Sequence, residues 1–234
     1  LERTAAKHPD RPAIVFNNWT VSYKKLKRLV DLTAANLKKA GVKPGERVAI
    51  MLPNCPQTVI TYWACLKMGA VVVMTNPLYM EKELVHHFND SEAKTLITLN
   101  LLWKRIDGLR AKLHLKRIFV TSIADCLRFP LDVLYTLKSR REYKLKAIPF
   151  DGTTVLHWKG LLKRAVIEAP HPVDPVKDLA ALQYTCISEP GRAPQSLRQA
   201  LLAQPDPALL YRLFDTFGPH WWLQRSPYAF RAGL

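Results

Sequence analysis

Residues 45–79, GERVAIMLPNCPQTVITYWACLKMGAVVVMTNPLY, decide the fold of this chain. Val48–Leu52 is a short apolar run, which is typical of a strand buried on both faces. A proline-containing turn ends this run, and the nearly all-apolar stretch Gln57–Met68 predicts a buried helix that closes at Gly69. A second apolar run follows at Ala70–Met74. A strand, a helix and a strand joined by short connections predict a parallel crossover unit.

The same alternation extends on both sides of this stretch. Ser22 is the predicted N-cap of a helix that ends at Ala40, with Gly41 in the left-handed C′ position. The further predicted elements are a helix at Glu81–Asn89, a strand at Thr95–Leu99, a helix at Leu101–Leu113, a strand at Arg117–Thr121, a helix at His157–Ala165 and a buried strand at Leu179–Tyr184. The predicted fold class is α/β, with a parallel or mixed sheet flanked by helices.

Residues 124–150 break this rhythm, because apolar side chains there are mixed with the basic run Lys138–Arg141. We interpret them as a basic insertion that contains a short amphipathic helix. The stretch Leu127–Lys146 has two interpretations: contact with an anionic membrane surface, or a solvated insertion with a few apolar side chains beneath it. The net charge of +16 favours anionic partners, but no nucleic-acid-binding module is recognisable, and we expect no nucleic acid partner.

The candidate reactive side chains are four cysteines and a histidine pair, and the cysteines are Cys55, Cys65, Cys126 and Cys186. They form no CxxC pair, which favours free thiols in a cytoplasmic protein, and Cys55 and Cys65 are predicted to be buried rather than nucleophilic. His86 and His87 point about 100° apart on a helix, so they are poorly placed to chelate one ion. We predict no metal site and no catalytic residue in this chain, and no segment has the apolar length of a membrane span.

The composition changes after Thr185. Lysine is frequent up to Lys177 and absent afterwards, while six of the 17 prolines lie in residues 186–234. Helices at 194–203 and 207–217 are compatible with this Arg/Pro-rich tail, and no strand pattern continues the sheet. The pair Trp221–Trp222 is either an anchor for a partner or without a role.

Several short sequence motifs occur in a fixed order before Thr185: HPDRPA (8–13) with VSYKKL (21–26), GERVAIMLPN (45–54), LKMGAVVVMTNPLY (66–79), NDSEAK (89–94) and DLAALQYT (178–185). This series resembles the N-terminal part of the acyl-adenylate-forming, or AMP-binding, ligases. The version at 66–79 looks most like that of the long-chain fatty acid–CoA ligases. The resemblance covers most of residues 1–185, which we therefore interpret as an incomplete N-terminal domain of that fold.

The resemblance implies a reaction in which a fatty acid, ATP and coenzyme A give acyl-CoA, AMP and pyrophosphate. In this family ATP and Mg²⁺ are held by a loop rich in Gly, Ser and Thr, and Thr185 would be its vestigial first residue. Fatty acid and coenzyme A are the substrates that the resemblance implies, and ATP, Mg²⁺ and coenzyme A are its cofactors.

The chain departs from the family at this loop. Where the Gly-rich run is expected, residues 186–192 read CISEPGR. Glu189 adds a negative charge and Pro190 removes a backbone N–H, and both changes disfavour phosphate binding. We interpret the chain as a truncated, cytoplasmic acyl-CoA synthetase that binds no cofactor and is inactive in adenylation, with peripheral contact at the inner membrane surface as an open question. The alternative is a non-catalytic remnant, or one half of a split enzyme that pairs with a complementing chain.

Overall fold

Six parallel strands form the main sheet of this protein, in the order β7-β6-β5-β3-β4-β8. The computed structural model describes residues 1–17, 19–143, 145, 147–174 and 176–184. The strands are β1 Pro12–Phe16, β2 Trp19–Ser22, β3 Arg47–Met51, β4 Val71–Met74, β5 Thr95–Leu99, β6 Arg117–Thr121, β7 Val155–His157 and β8 Ala181–Gln183. The α-helices are α1 Glu2–Lys7, α2 Tyr23–Lys39, α3 Pro56–Lys67, α4 Glu81–Ser91, α5 Trp103–Leu109 and α6 Leu131–Tyr143. Short 3₁₀ helices occupy Asn100–Leu102, Arg110–Lys112, Ile123–Cys126 and Trp158–Leu162.

Strand β3 lies at the centre of the sheet and is apolar on both faces. Ala49 pairs with Val73 of β4 on one side and with Leu96 of β5 on the other. Val48, Ala49, Ile50 and Met51 are all fully buried. One face packs with α2 and α3, and the other packs with α4 and α5. The predicted α/β fold with helices flanking a sheet is confirmed, and the sheet is parallel rather than mixed.

Helix α2 has the ends that its sequence predicts. The Ser22 hydroxyl accepts a hydrogen bond from the backbone N–H of Lys25, and Gly41 has a φ of +88°. Its buried Asp31 forms salt bridges to Lys27 at 2.7 Å and to Lys67 of α3 at 2.5 Å. Lys67 also contacts Glu2 of α1 at 2.6 Å. This network connects the first three helices through Asp31 and Lys67, whose side chains are 6% and 11% exposed.

Most of the other predicted elements are also present. Strands β5 and β6 have the predicted bounds, and α3, β3, β4 and α4 differ from prediction by one or two residues at their ends. The predicted helix Leu101–Leu113 is instead α5 between two 3₁₀ turns, consistent with the low helix propensity of Gly108 near its end.

The helix predicted at His157–Ala165 is present only in part. His157 ends strand β7, which pairs with β6, and a 3₁₀ helix at Trp158–Leu162 follows. The Trp158 indole is 1% exposed, and its N–H donates to the Thr61 hydroxyl at 3.1 Å. Since Thr61 is remote in sequence, this packing overrides the local pattern.

The predicted buried strand at Leu179–Tyr184 is shorter and more exposed than expected. Strand β8 covers Ala181–Gln183 at the edge of the sheet, where β4 is its one neighbour among the described strands. Its residues are half-buried or exposed because an edge strand has packing partners on one side.

The sequence interpretation missed helix α1 and the antiparallel hairpin β1–β2. The hairpin turns at Asn17, whose φ of +50° suits an asparagine. Ile14 is buried while Val15 is 69% exposed, so burial alternates along β1 although its sequence, PAIVF, is apolar throughout. The sequence of β2, WTVS, does alternate apolar and polar residues.

The insertion at 124–150 contains the 3₁₀ helix Ile123–Cys126 at its start and then α6. Helix α6 is not amphipathic in the predicted sense, because apolar and charged residues alternate around it and Ser139 is its one buried residue. None of the described helices is both long and apolar enough to cross a bilayer. The tail helices predicted at 194–203 and 207–217 and the pair Trp221–Trp222 lie outside the described residues.

A substitution at Gly69 tests how the chain reaches strand β8. Gly69 has a φ of +77°, and a Cβ there would lie 2.3 Å from Cδ2 of His171. The backbone N–H of His171 donates to Lys67 at 2.9 Å, so this contact fixes the approach to β8. We expect Gly69→Ala to lower the free energy of unfolding by about 2 kcal/mol in urea titrations, through left-handed strain and displacement of His171.

Gly108→Ala is the matched control, because a Cβ at Gly108 of α5 meets no atom within 4 Å. It should be neutral or stabilising by about 0.5 kcal/mol, since alanine has the higher helix propensity. Equal effects of the two substitutions would contradict the assigned contact at Gly69.

Candidate functional site

The carboxyl ends of the six parallel strands lie along one side of the sheet, which we call the carboxyl edge. Open parallel sheets bind ligands at this edge. Four buried side-chain atoms have no hydrogen-bond partner among the described residues: Gln57 Oε1, His87 Nδ1, Thr98 Oγ1 and Asn100 Oδ1. All four belong to residues at this edge or hydrogen-bonded to it. Each unpaired buried polar atom costs about 1–3 kcal/mol, so their concentration marks the carboxyl edge as the candidate site.

His87 is the most deeply placed titratable group at this edge. It projects from α4 and is 3% exposed, with Nε2 2.9 Å from the hydroxyl of Thr75, the residue that follows β4. Burial lowers the pKa of the His87 imidazole to about 4, against a smaller opposing effect of Asp90. The side chain is therefore neutral near pH 7. The Thr75 hydroxyl also lies 3.3 Å from the Val73 carbonyl, and when it donates there, His87 Nε2–H donates to Thr75. His87 Nδ1 is then left as a hydrogen-bond acceptor.

Tyr184 connects this histidine to the end of strand β8. Its ring centroid lies 4.2 Å from that of His87, and its hydroxyl donates to Asp90 Oδ2 at 2.5 Å. Helix α4 thus fixes the residue that immediately precedes Thr185. Thr185, the predicted start of the phosphate loop, and residues 186–192 lie outside the described residues.

A second polar cluster lies where β6 ends. The amide of Gln57, at the start of α3, donates to the Ser122 carbonyl at 2.9 Å. The Thr121 hydroxyl donates to Asp125 at 2.8 Å, and Lys159 forms a salt bridge to the same carboxylate at 3.1 Å. These contacts use the Gln57 amide nitrogen and leave its oxygen available.

The cysteines contribute no reactive group in the described part of the chain. Cys55, Cys65 and Cys126 are free and buried, which confirms the predicted burial of Cys55 and Cys65. Burial raises the pKa of the Cys65 thiol to about 12 and also raises the pKa values of the other two. Thiolates, the nucleophilic form, are therefore disfavoured. Cys186 lies outside the described residues.

The two adjacent histidines have different environments. His86 is exposed, whereas His87 is buried. Within the described ranges, no group of three His, Cys, Asp or Glu side chains is arranged to hold a metal ion. Treating both histidines as ordinary helix positions overlooked the contact of His87 with Thr75. The sequence did carry a signal for it, because the buried residues Leu84, His87, Phe88 and Ser91 recur at helical spacing.

The depressed pKa of His87 predicts a pH-dependent stability. Between pH 6.5, the ordinary pKa of histidine, and pH 4, the unfolded chain binds a proton that the folded protein rejects. The free energy of unfolding should fall as the pH decreases through this window, by about 3 kcal/mol from this group. We expect His87→Gln to reduce that pH-dependent loss, as measured by urea titrations at several pH values.

His86→Gln is the matched control, because it removes an exposed histidine one residue away. Its unfolding free energy should follow the pH profile of the wild type. A His87→Gln profile with the same slope as that of His86→Gln would refute the assignment of a buried, neutral His87.

Comparisons with known proteins agree with this architecture. The sequence pattern of one family, described as AMP-binding enzyme, matches residues 1–186. The long-chain-fatty-acid–CoA ligase of Bacillus subtilis is 37% identical over 188 residues, which cover 79% of this chain and 33% of that protein. The enzyme of the same name from Escherichia coli O157:H7 is 32% identical with the same coverage. The chain thus spans about a third of the length of these curated relatives.

Solved structures show the same fold at low sequence identity. Coronafacic acid ligase from Pectobacterium brasiliense superposes with a TM-score of 0.62 at 22% identity, over 77% of this chain and 31% of that one. A long-chain-fatty-acid-CoA ligase from Archaeoglobus fulgidus gives a TM-score of 0.58 at 21% identity, over 77% and 32%. With the family pattern matched over residues 1–186 on a parallel α/β sheet, this chain belongs to the AMP-binding enzyme family.

Proposed function

We propose that residues 1–185 are the N-terminal part of an ATP-dependent acyl-CoA synthetase of the long-chain fatty acid type. Its complete reaction would convert a fatty acid, ATP and coenzyme A into acyl-CoA, AMP and pyrophosphate. The match to long-chain-fatty-acid–CoA ligases at 37% identity is the observation that carries this proposal. The carboxyl edge supports it, because that edge concentrates polar atoms without partners among the described residues.

The contribution of this part to catalysis would be positional. Helix α4 holds Tyr184 through Asp90 and His87, directly before the point at which the family's phosphate loop begins. If the residue before a phosphate-binding loop is already fixed, less conformational entropy is lost when the loop becomes ordered. His87 and Gln57 add acceptor atoms at the same edge.

We further propose that these 234 residues do not form acyl-adenylate by themselves. Residues 186–192 do not fit a triphosphate with Mg²⁺, because Glu189 is negatively charged and Pro190 has no N–H to donate. The division into a family part, 1–185, and an unrelated tail, 186–234, belongs to this proposal. So does a cytoplasmic location, which three buried free thiols favour.

A complementing chain is the second candidate, and strand β8 is the observation that favours it. Among the described strands β8 pairs with β4 alone, and Leu182 on it is half-buried. An edge strand of this kind can accept a further strand from another chain. A second chain that carries the remaining family elements would then complete the sheet and supply the missing phosphate loop.

ATP–pyrophosphate exchange with palmitate tests the inactivity of this chain. We expect no exchange above the rate of a protein-free reaction, because the sequence at 186–192 lacks the Gly-rich run that would surround phosphates with backbone donors. The B. subtilis relative assayed in parallel serves as the positive control. Palmitate-dependent exchange by this chain alone would overturn the proposal.

Co-expression separates a split enzyme from a remnant. This chain would be produced together with the B. subtilis ligase lacking the third of its length that matches here. Co-purification with palmitate-dependent exchange would support a complementing chain. Stable folding of this chain without association would leave the non-catalytic remnant as the better account.

A further inference from the structure

The inward residues of helix α6 are polar, whereas its outward residues are both apolar and charged. The helix packs against the 3₁₀ helix Ile123–Cys126. The residues on its inward side are polar or bear a hydroxyl: Asp132, Tyr135, Thr136 and Ser139 are half-buried or buried. The aliphatic residues Val133, Leu134 and Leu137 are exposed. A helix that only covers a soluble core has the opposite arrangement.

The exposed apolar side chains of this region form one patch, which we call the α6 surface: Phe129, Leu131, Val133, Leu134, Leu137 and Tyr143. Phe129 is 80% exposed and Leu137 is 60% exposed. Six of the 15 exposed large apolar side chains in the described part of the chain therefore fall within 15 consecutive residues. Such a concentration indicates an interaction surface, since isolated exposed apolar residues need no partner but clusters of them do.

Cations are interleaved with these apolar side chains. Residues 127–146 contain six Lys or Arg and two Asp or Glu, a net charge of +4. Arg140 and Arg141 are exposed and form no salt bridge within the described residues. Lys138 is 3.8 Å from Glu142, which is a weak ion pair at an exposed position. The α6 surface thus combines apolar area with unneutralised positive charge.

A shallow recess of ≈ 280 Å³ adjoins this surface. It lies between α6 and Asn17, the turn residue of the β1–β2 hairpin, and Leu127, Leu131 and Leu134 contribute apolar walls. Lys138 also lines the recess. The recess offers space for an apolar chain beside a cation.

We propose that the α6 surface docks this protein onto an anionic lipid bilayer. Leu134, Leu137 and Phe129 would enter the boundary between headgroups and acyl chains. Arg140 and Arg141 have long aliphatic stems that let their guanidinium groups stay at the level of the lipid phosphates. The net charge of +4 over residues 127–146 complements the negative charge of such a bilayer. The proposal is independent of acyl-CoA chemistry and holds for a chain without ligase activity.

Sedimentation with lipid vesicles tests this proposal on the full chain. The vesicles would be phosphatidylcholine alone, or phosphatidylcholine with about one third phosphatidylglycerol. We expect binding to the anionic vesicles at low salt, at least tenfold weaker binding at about 0.5 M salt, and little binding to the neutral vesicles.

Two double variants separate the contributions of charge and apolar insertion. Arg140→Gln with Arg141→Gln should weaken binding about thirtyfold at low salt and flatten its salt dependence, given ~1 kcal/mol per cation. Leu134→Ser with Leu137→Ser should weaken binding about tenfold or more at every salt concentration, since apolar insertion is not screened.

The matched controls are exposed residues elsewhere. Lys104→Gln with Lys112→Gln removes two cations, and Leu78→Ser with Met80→Ser removes two exposed apolar side chains. Both control variants should bind anionic vesicles within about twofold of the wild type, because none of these residues belongs to α6 or lines the adjoining recess. Circular dichroism would establish that all four variants remain folded.

Three outcomes would overturn the proposal. The first is no binding of the wild type to anionic vesicles at low salt. The second is unchanged binding by both α6 variants when they are folded. The third is self-association on size exclusion that the Leu134→Ser, Leu137→Ser variant abolishes, without any vesicle binding, which would assign the α6 surface to a second copy of this chain.

Discussion

The parallel pairing of β3 with both β4 and β5 is the constraint on which the rest of the structure depends. Two parallel neighbours can be reached from one strand only through crossovers, so α3 and α4 must lie on the faces of the sheet. Both faces of β3 are then covered, which explains why Val48, Ala49, Ile50 and Met51 are all apolar and all buried. The salt bridge between Asp31 of α2 and Lys67 of α3 adds a directional contact between the two helices that pack on one of these faces.

The same constraint produces the candidate site. Parallel strands end at a common edge, so residues from separate crossovers meet there without being close in sequence. His87 reaches this edge from α4 and Gln57 reaches it from α3. The two residues share one property: each has one polar atom hydrogen-bonded to the strand ends and another without a partner among the described residues. In each side chain, the hydrogen-bonded atom therefore fixes the orientation, and the second polar atom is available to a ligand at the carboxyl edge.

The fold was more predictable from the sequence than the site was. Strands β5 and β6 had the predicted bounds because a buried parallel strand is a short apolar run between polar residues, which is a local signal. The helix predicted at His157–Ala165 is shortened to a 3₁₀ helix at Trp158–Leu162, where Trp158 is held by a contact with Thr61, 97 residues away. Helix α6 was predicted to be amphipathic, but its own sequence does not determine which side faces the 3₁₀ helix before it. His86 and His87 are adjacent on α4 and differ in the direction in which their side chains point. That direction brings His87 to the Thr75 hydroxyl, a contact that the sequence of α4 alone does not show.

The position of β8 has a consequence for the order of folding. The chain completes β7 at one edge of the sheet and then crosses to the opposite edge before it pairs with β4. Strands β3 to β7 therefore emerge from the ribosome before Ala181–Gln183, and the β4 edge stays unpaired until Ala181–Gln183 emerges. Closing so distant a contact is slow compared with forming the local crossovers. During synthesis, the β4 edge is thus the last part of the sheet to acquire its neighbour among the described strands.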